Sequence, residues 1–432
     1  MSTQLASFFS ITLWKQRLVF WVGAIFVGLL IVAMTLLSEW AGETYRLISQ
    51  QYFWFNFIVA PLGLSFTTWL TFRFFPGSER SGIPQVKTAL EITGNLADRN
   101  RLISLRIAFG KMLLPIMGLL SGASVGFGGP AVHVGASFMA SLGKAVKFPS
   151  HYMERGLILA GSAAGFAAMF SAPLAGIIFA IEEMGRALEE KISSLVLTAI
   201  IFSGVTAYAL LNNYIFFNDK SFIMPWGMTW LAIPLCGITG GFLGGLFSKI
   251  IIRGGRFLKK TGISIIVIAF ASGGAIAILG FYSDGDSFGT GYSQATAILT
   301  NSAPMDPWFP VYKMLASCAT FFSGIPSGIF VPSIATGAGF GVNLAHWFPI
   351  APASAMVLLT MTAYFSGMLQ SPLTSFVIVM EMTGSHEILI PLMATAFFAT
   401  GTSKLINPTP LYRALCNSYI PPKKPLKTND EE

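Results

Sequence analysis

Charge is what this chain has least of. Only 11% of its 432 residues are Asp, Glu, Lys or Arg, whereas 53% are apolar. A soluble globular domain carries about 25% charged residues. A soluble enzyme or binding module is therefore excluded, and a polytopic membrane protein is indicated. Cysteine is almost absent as well. Cys236, Cys318 and Cys416 stand alone, and no CxxC pair exists. That excludes a disulfide framework and a thiolate metal site, and leaves three small buried hydrophobes. The four histidines form no HExxH, so no catalytic, metal or cofactor site is expected and the chain does not read as an enzyme. Gly337-Ala338-Gly339-Phe340-Gly341 is glycine-rich but follows no strand. It reads as close helix packing rather than a dinucleotide loop.

The net charge of +8 does not point to nucleic acid. The cations cluster beside apolar tracts: Lys15 and Arg17, then Arg253, Arg256, Lys259 and Lys260, then Lys423, Lys424 and Lys427. The positive-inside bias places these clusters, and with them both termini, in the cytoplasm. The expected location is a bacterial inner membrane. The N-terminus lacks a signal-peptide pattern with a small-residue cleavage site, so 18–37 is expected to remain as a span.

What the chain has is long uncharged tracts. Residues 18–37, 52–72 and 192–218 carry no charge, and a single span needs about 20 apolar residues. Residues 112–143 form a tract too long for one straight span, and 314–380 is longer still, with several Gly and Pro breaks. Broken backbone at that depth must be buried in protein or line a wet cavity. The expected fold is all-α, with many tilted and broken helices. It forms one membrane domain over 1–432, with halves at about 16–215 and 220–420 and a short cytoplasmic tail at 421–432. The seam falls at 218–221.

The halves repeat each other. Gly126-Phe127-Gly128-Gly129-Pro130 is matched about 200 residues later by Gly328-Ile329-Phe330-Val331-Pro332. Gly135-Ala136 and Gly337-Ala338 follow at the same spacing. Pro173-Leu174 with Glu182 is echoed by Pro372-Leu373 with Glu381. Matching interruptions in two halves of a membrane protein point to broken helices that meet at a site near the midplane. Repeat matching alone leaves parallel and inverted halves open; inversion is the expectation. Ser81-Gly82-Ile83-Pro84 adds a third helix start, with proline in the first turn and a glycine that lets the backbone turn. A hydroxyl beside free N–H groups at a helix N-terminus suits an anion. A site built from dipoles rather than fixed cations also releases the anion readily.

These residues resemble the CLC family of chloride channels and chloride/proton antiporters over about residues 15–420. The family's GSGIP stands here as Arg80-Ser81-Gly82-Ile83-Pro84, its GREGP as Gly126-Phe127-Gly128-Gly129-Pro130, and its GxFxP as Gly328-Ile329-Phe330-Val331-Pro332. Its late tyrosine is Tyr412. The resemblance implies a bound chloride held by the Ser81 and Tyr412 hydroxyls, by the Ser81-Gly82-Ile83 helix start, and by the N–H groups of Ile329 and Phe330. It implies that Glu183 matches the glutamate that passes protons to the cytoplasm in antiporters. Lys111 matches a buried lysine beneath the pathway, with snorkelling to an interface as its other reading. Glu182 reads as structural or as a solvated helix end, and a solvated helix end is also the other reading of Glu183. A homodimer in the lipid bilayer is implied, with one pathway per subunit and interface helices at 172–183, 192–212, 372–382 and 389–403. Serine at 81 is the chloride-type residue; fluoride-selective relatives carry methionine there and nitrate-accumulating ones proline.

Two positions depart from the family. The gating glutamate is replaced by Gly128, and the arginine before it by Phe127, with Gly129 following. Two unit charges 4 Å apart repel by about 4 kcal/mol at an effective dielectric of 20. That is roughly a thousandfold in occupancy, so loss of the carboxylate should open the outer path to chloride. Arg80 stands where glycine is usual; it raises the anion concentration at the inner mouth or pairs with Glu79. The expected function is passive permeation of chloride and similar monovalent anions, channel-like or as an uncoupled uniporter. The alternative is a proton-coupled antiporter with a replacement carrier, such as His133 or a water chain. An intramembrane enzyme would need a Ser/His or HExxH constellation, and a non-transporting receptor would leave three anion-binding helix starts without a reason.

Overall fold

The computed structural model describes residues 11–52, 54–92, 96–146, 151–185, 194–211, 224–300 and 304–419. The expected seam at 218–221 and the tail at 421–432 lie outside these residues. Helix α1 (Ile11–Gln51) and α2 (Phe55–Phe74) open the chain. Short helices α3 (Ile83–Glu91) and α4 (Leu96–Leu102) lead to α5 (Leu105–Leu119), α6 (Gly128–Ala145) and α7 (His151–Met169). Then α8 (Pro173–Phe179) runs into a π-helical turn at Ala180–Met184, and α9 (Ser194–Leu210) follows. Further on come α10 (Ala232–Thr261), α11 (Ile265–Tyr282), α12 (Tyr292–Thr300), α13 (Phe309–Ser323) and α14 (Phe330–Trp347). The last four are α15 (Ala353–Leu369), α16 (Pro372–Thr383), α17 (Leu389–Ile406) and α18 (Leu411–Cys416). Among the described residues, six helices are long and apolar enough to cross a membrane, Phe55–Phe74 and Ile265–Tyr282 among them.

The long apolar tracts break where the sequence places glycine. After α5 the chain turns through Gly122 at φ +78, and after α13 through Gly324 at φ +84. That left-handed backbone suits glycine best. Each turn is followed by a new helix start, at Gly128 and at Phe330. Between them, Gly126 and Gly328 pair in an antiparallel bridge. Gly126 N–H donates to Gly328 O at 2.8 Å, and Gly328 N–H donates to Gly126 O at 2.6 Å. Equivalent residues of the two halves thus meet reciprocally, as halves related by a local two-fold axis do.

A second reciprocal contact confirms the relation. The Glu381 carboxylate accepts from Leu174 N–H (3.0 Å) and Ala175 N–H (2.7 Å) at the start of α8. The Glu182 carboxylate accepts from Leu373 N–H (3.2 Å) and Thr374 N–H (2.7 Å) at the start of α16. Each half therefore supplies a carboxylate to orphan donors in the first turn of the other, where the helix dipole also favours negative charge. Of the two readings of Glu182, the structural one holds. Ser171 (φ +48) and Gln370 (φ +59) turn the chain at matching points just before.

Removing one cap tests this. Glu182→Ala leaves the N–H groups of Leu373 and Thr374 without their acceptor. Losing hydrogen bonds to a charged group costs about 1.5–3 kcal/mol. The expected result is a lower thermal midpoint in detergent for Glu182→Ala and for Glu381→Ala. A midpoint unchanged in both variants would rule out the caps as a stabilising contact.

Candidate functional site

Four chain breaks converge on one buried centre. The first is the loop that ends at Ser81. Arg80 N–H donates to Ile325 O (3.1 Å), and Ser327 N–H donates to Arg80 O (3.2 Å), so this loop is tied to the one before α14. Lys111, fully buried on α5, donates to the carbonyls of Glu79 (3.3 Å) and Arg80 (2.7 Å). It supports the loop from within and does not snorkel. Gly82 then takes φ +102, and α3 begins at Ile83 with Pro84 in its first turn.

The second break is the start of α6. A Cβ on Gly129 would lie 2.7 Å from Ser81 O, so only glycine allows this approach. Phe127 is buried as the residue before the helix. The third break is the start of α14, where a Cβ on Gly328 would lie 3.1 Å from Gly129 N. Ile329 precedes the helix and Phe330 is its first residue. First-turn N–H groups have no intrahelical acceptor. The fourth is α18. It packs on α3, with Cys416 Sγ 3.6 Å from Pro84 O, and brings the Tyr412 ring 5.9 Å from that of Phe330.

The centre therefore collects Ser81, Gly82, Ile83, Phe127, Gly128, Gly129, Ile329, Phe330 and Tyr412. The Ser81 and Tyr412 hydroxyls are both buried and close enough to interact with each other, yet neither makes a hydrogen bond of ordinary geometry among the described residues. Buried polar groups are nearly always bonded. Two such donors beside helix N-termini have the chemistry that suits a small anion. The space at Gly128 is walled by aromatic rings: a Cβ there would lie 3.0 Å from Phe330 Cδ2 and 3.3 Å from Phe170 Cε2.

Around the centre sit three groups with other tasks. Glu183 lies in the π turn and is buried; its Oε1 is 2.6 Å from Lys87 Nζ, and its Oε2 accepts from Ser371 Oγ at 2.6 Å. His133 Nε2 lies 2.8 Å from Leu102 O, while Nδ1 has no partner among the described residues. A carbonyl only accepts, so Nε2 carries the proton. Arg80 does not pair with Glu79. Its guanidinium lies over the Phe321 ring at 5.4 Å, and the Glu79 carboxylate takes the Gly77 N–H at 3.0 Å. The sequence reading missed Lys87 and Lys313. Lys313 donates to the carbonyls of Ser287 (3.0 Å), Phe288 (2.9 Å) and Gly289 (2.8 Å), as Lys111 does in its own half. The signal was available, since Lys111 precedes Gly126 by the spacing at which Lys313 precedes Gly328.

The sequence model of the voltage gated chloride channel family matches residues 63–404. The chain belongs to that family. Among curated relatives it is similar to the H(+)/Cl(-) exchange transporter ClcA of Yersinia pestis, at 29% identity over 83% of this chain and 77% of the relative. It is similar to ClcA of Cronobacter sakazakii at 29% identity over 84% and 78%. Among solved structures, a slow cyanobacterial Cl-/H+ antiporter superposes with TM-score 0.79 at 22% identity, covering 94% of this chain and 97% of that one. A CLC-type fluoride/proton antiporter superposes at 0.76 and 22%, covering 93% and 98%. The all-helical fold of two repeated halves is therefore the CLC fold. The chain is a membrane protein of a family of anion channels and transporters.

The hydroxyls give a direct test. Tyr412→Phe and Ser81→Ala each remove one donor and little volume. A hydrogen bond to a charged partner contributes about 1.5–3 kcal/mol, roughly tenfold or more in affinity. Calorimetric titration with chloride should show that weakening in each variant. Wild-type affinity in both would place the ion elsewhere.

Proposed function

We propose that this chain moves chloride or a similar monovalent anion across the membrane through the centre at Ser81 and Tyr412. The observation that carries this reading is the pair of buried hydroxyls, close to each other and without a further partner among the described residues, at the meeting point of three helix starts. A bound chloride would satisfy both, together with the N–H groups of Ile329 and Phe330. The chloride-type serine at 81 supports the choice of ion.

Two readings of the transport mode remain, each with an observation behind it. The curated relatives are named exchange transporters, and two of the solved relatives are titled antiporters, one for chloride and one for fluoride. They back proton-coupled exchange better than passive permeation. Exchange in this chain needs a proton carrier in place of the missing carboxylate, and His133 Nδ1 is the unpartnered basic atom beside Gly82. The passive reading rests on this chain's own residues. Gly128 and Phe127 cannot carry a proton, and both oxygens of Glu183 are engaged, by Lys87 and Ser371. Liposomes loaded with chloride separate the two. Exchange requires a chloride gradient to drive protons uphill at a fixed ratio; passive permeation gives chloride efflux with no proton movement. A chain that releases no chloride under either condition would refute transport altogether.

We further propose a homodimer with one pathway per subunit. Leu174, Ile181, Ile201, Val205 and Phe397 leave large apolar surfaces exposed on α8, the π turn, α9 and α17. Lipid would cover these faces at little cost, so packing must drive the pairing. A detergent-corrected mass of two chains is expected. A single-chain mass in a preparation that still transports would refute the dimer.

A further inference from the structure

A cavity of about 240 Å³ opens beside the centre, bounded by Arg80, Arg256, Lys259, Glu79, Phe321 and Tyr419. Arg80 is the neighbour of Ser81 in the chain, and Ala414 and Leu415 of α18, the helix that carries Tyr412, form part of the wall. Its three cations face one carboxylate. Glu79 is occupied by the Gly77 N–H, and none of the ion pairs among the described residues involves Arg80, Arg256 or Lys259.

Arg80 is held there at a conformational cost. Its φ is +58, a left-handed backbone that side chains other than glycine rarely adopt. Glycine at this position would be free of that strain. Strained residues of this kind persist where the surroundings over-determine them, and they cluster at functional sites. The surroundings here are specific. Lys111 and Ser327 both bond to the Arg80 carbonyl, Ile325 takes its N–H, and the Phe321 ring lies under the guanidinium at 5.4 Å. The result is a guanidinium fixed on the rim of the cavity.

A single chloride does not call for three cations or this volume. One water needs only about 10–15 Å³ of such space, so the cavity has room for a group much larger than a single ion. The guanidinium fork matches phosphate oxygens in a bidentate way, and lysine adds a point charge. We propose that this cavity binds a phosphate-bearing polyanion, which plugs the pathway on the face that carries Arg253, Arg256, Lys259 and Lys260. The plugging rests on the transport reading above; the binding does not. The shared chemistry is a cluster of phosphate oxygens, supplied by a soluble polyphosphate or by an anionic lipid headgroup.

The test uses the full chain and tripolyphosphate as the soluble probe. Calorimetry in detergent should show saturable binding to the wild type, weakened about tenfold or more by Arg80→Gly and by Arg256→Gln. Arg80→Gly relieves the left-handed strain, so its thermal midpoint should equal or exceed that of the wild type. This keeps loss of binding distinct from loss of fold. In phosphatidylcholine liposomes, tripolyphosphate should slow chloride efflux from the wild type and not from Arg80→Gly. If the lipid is the source, flux slows instead when phosphatidate is added to the bilayer, again only with Arg80 present. Equal tripolyphosphate binding by the wild type and both variants would overturn the site, as would no response to either probe. Binding that leaves flux untouched would overturn the plug. Arg80-dependent binding by a chain that moves no chloride would support the site and sink only the transport reading.

Discussion

Two backbone hydrogen bonds between Gly126 and Gly328 fix the distance at which the halves meet, and the centre follows from that distance. A Cβ on Gly328 would lie 2.6 Å from Gly126 O, and one on Gly126 would lie 2.8 Å from Pro332 Cδ. No side chain fits at either position. Within a bilayer every backbone polar group needs a partner in the protein or in a wet cavity. The bridge satisfies one N–H and one carbonyl from each half. The chain then restarts as helix on both sides, at Gly128 and Phe330, and first-turn N–H groups have no intrahelical acceptor. The geometry that closes the protein at the bridge thus leaves donors beside it, next to the two buried hydroxyls.

The few charges inside the molecule are used in pairs that respect the same symmetry. Lys111 and Lys313 each hold the carbonyls of the loop before a short helix, α3 in one half and α12 in the other. Glu182 and Glu381 each cap a helix of the opposite half. An unpaired charge at membrane depth is expensive. Here ammonium meets carbonyl dipoles and carboxylate meets amide dipoles, so each charge is compensated without a counter-ion. Lys111 supports the buried centre indirectly: it holds the Glu79 and Arg80 carbonyls and so fixes the turn into Ser81. Two direct ion pairs depart from the pattern, Glu183 with Lys87 near the centre and buried Arg99 with Glu154.

Much of this was legible in the residues. The repeat of Gly126–Pro130 in Gly328–Pro332 announces both breaks, because glycine and proline act locally and their spacing survives in the chain. The helix starts at Ile83, Gly128 and Phe330 follow from the same chemistry. What stayed hidden depended on distance or on backbone torsion. Lys87 meets Glu183 across 96 residues of chain, and no local pattern marks that meeting. Arg80 looked like a partner for Glu79 because they are adjacent. Its left-handed backbone and the Phe321 ring set a different direction. Lys313 is marked by repeat spacing, but its role exists only once the loop at 287–289 is folded against it.

Gly128 puts the sharpest constraint on transport mode. Without a carboxylate, the atoms nearest a side chain at 128 are ring carbons of Phe330 and Phe170, which neither compete with an anion nor accept a proton. If protons move, they need another carrier, and His133 is restricted by its surroundings. Its Nε2–H is committed to Leu102 O, so a second proton must go to Nδ1. A point on Gly82 that lies 2.9 Å from Nδ1 also lies 3.0 Å from Lys111 Cε, so a cationic imidazole would stand close to the ammonium. Two unit charges at such range repel by several kcal/mol even at an effective dielectric of 20. An anion at Ser81 would offset that repulsion. With His133 as the carrier, proton and anion would therefore have to occupy this chain together rather than in turn. That demand is absent from a site whose carboxylate can neutralise itself by taking up the proton.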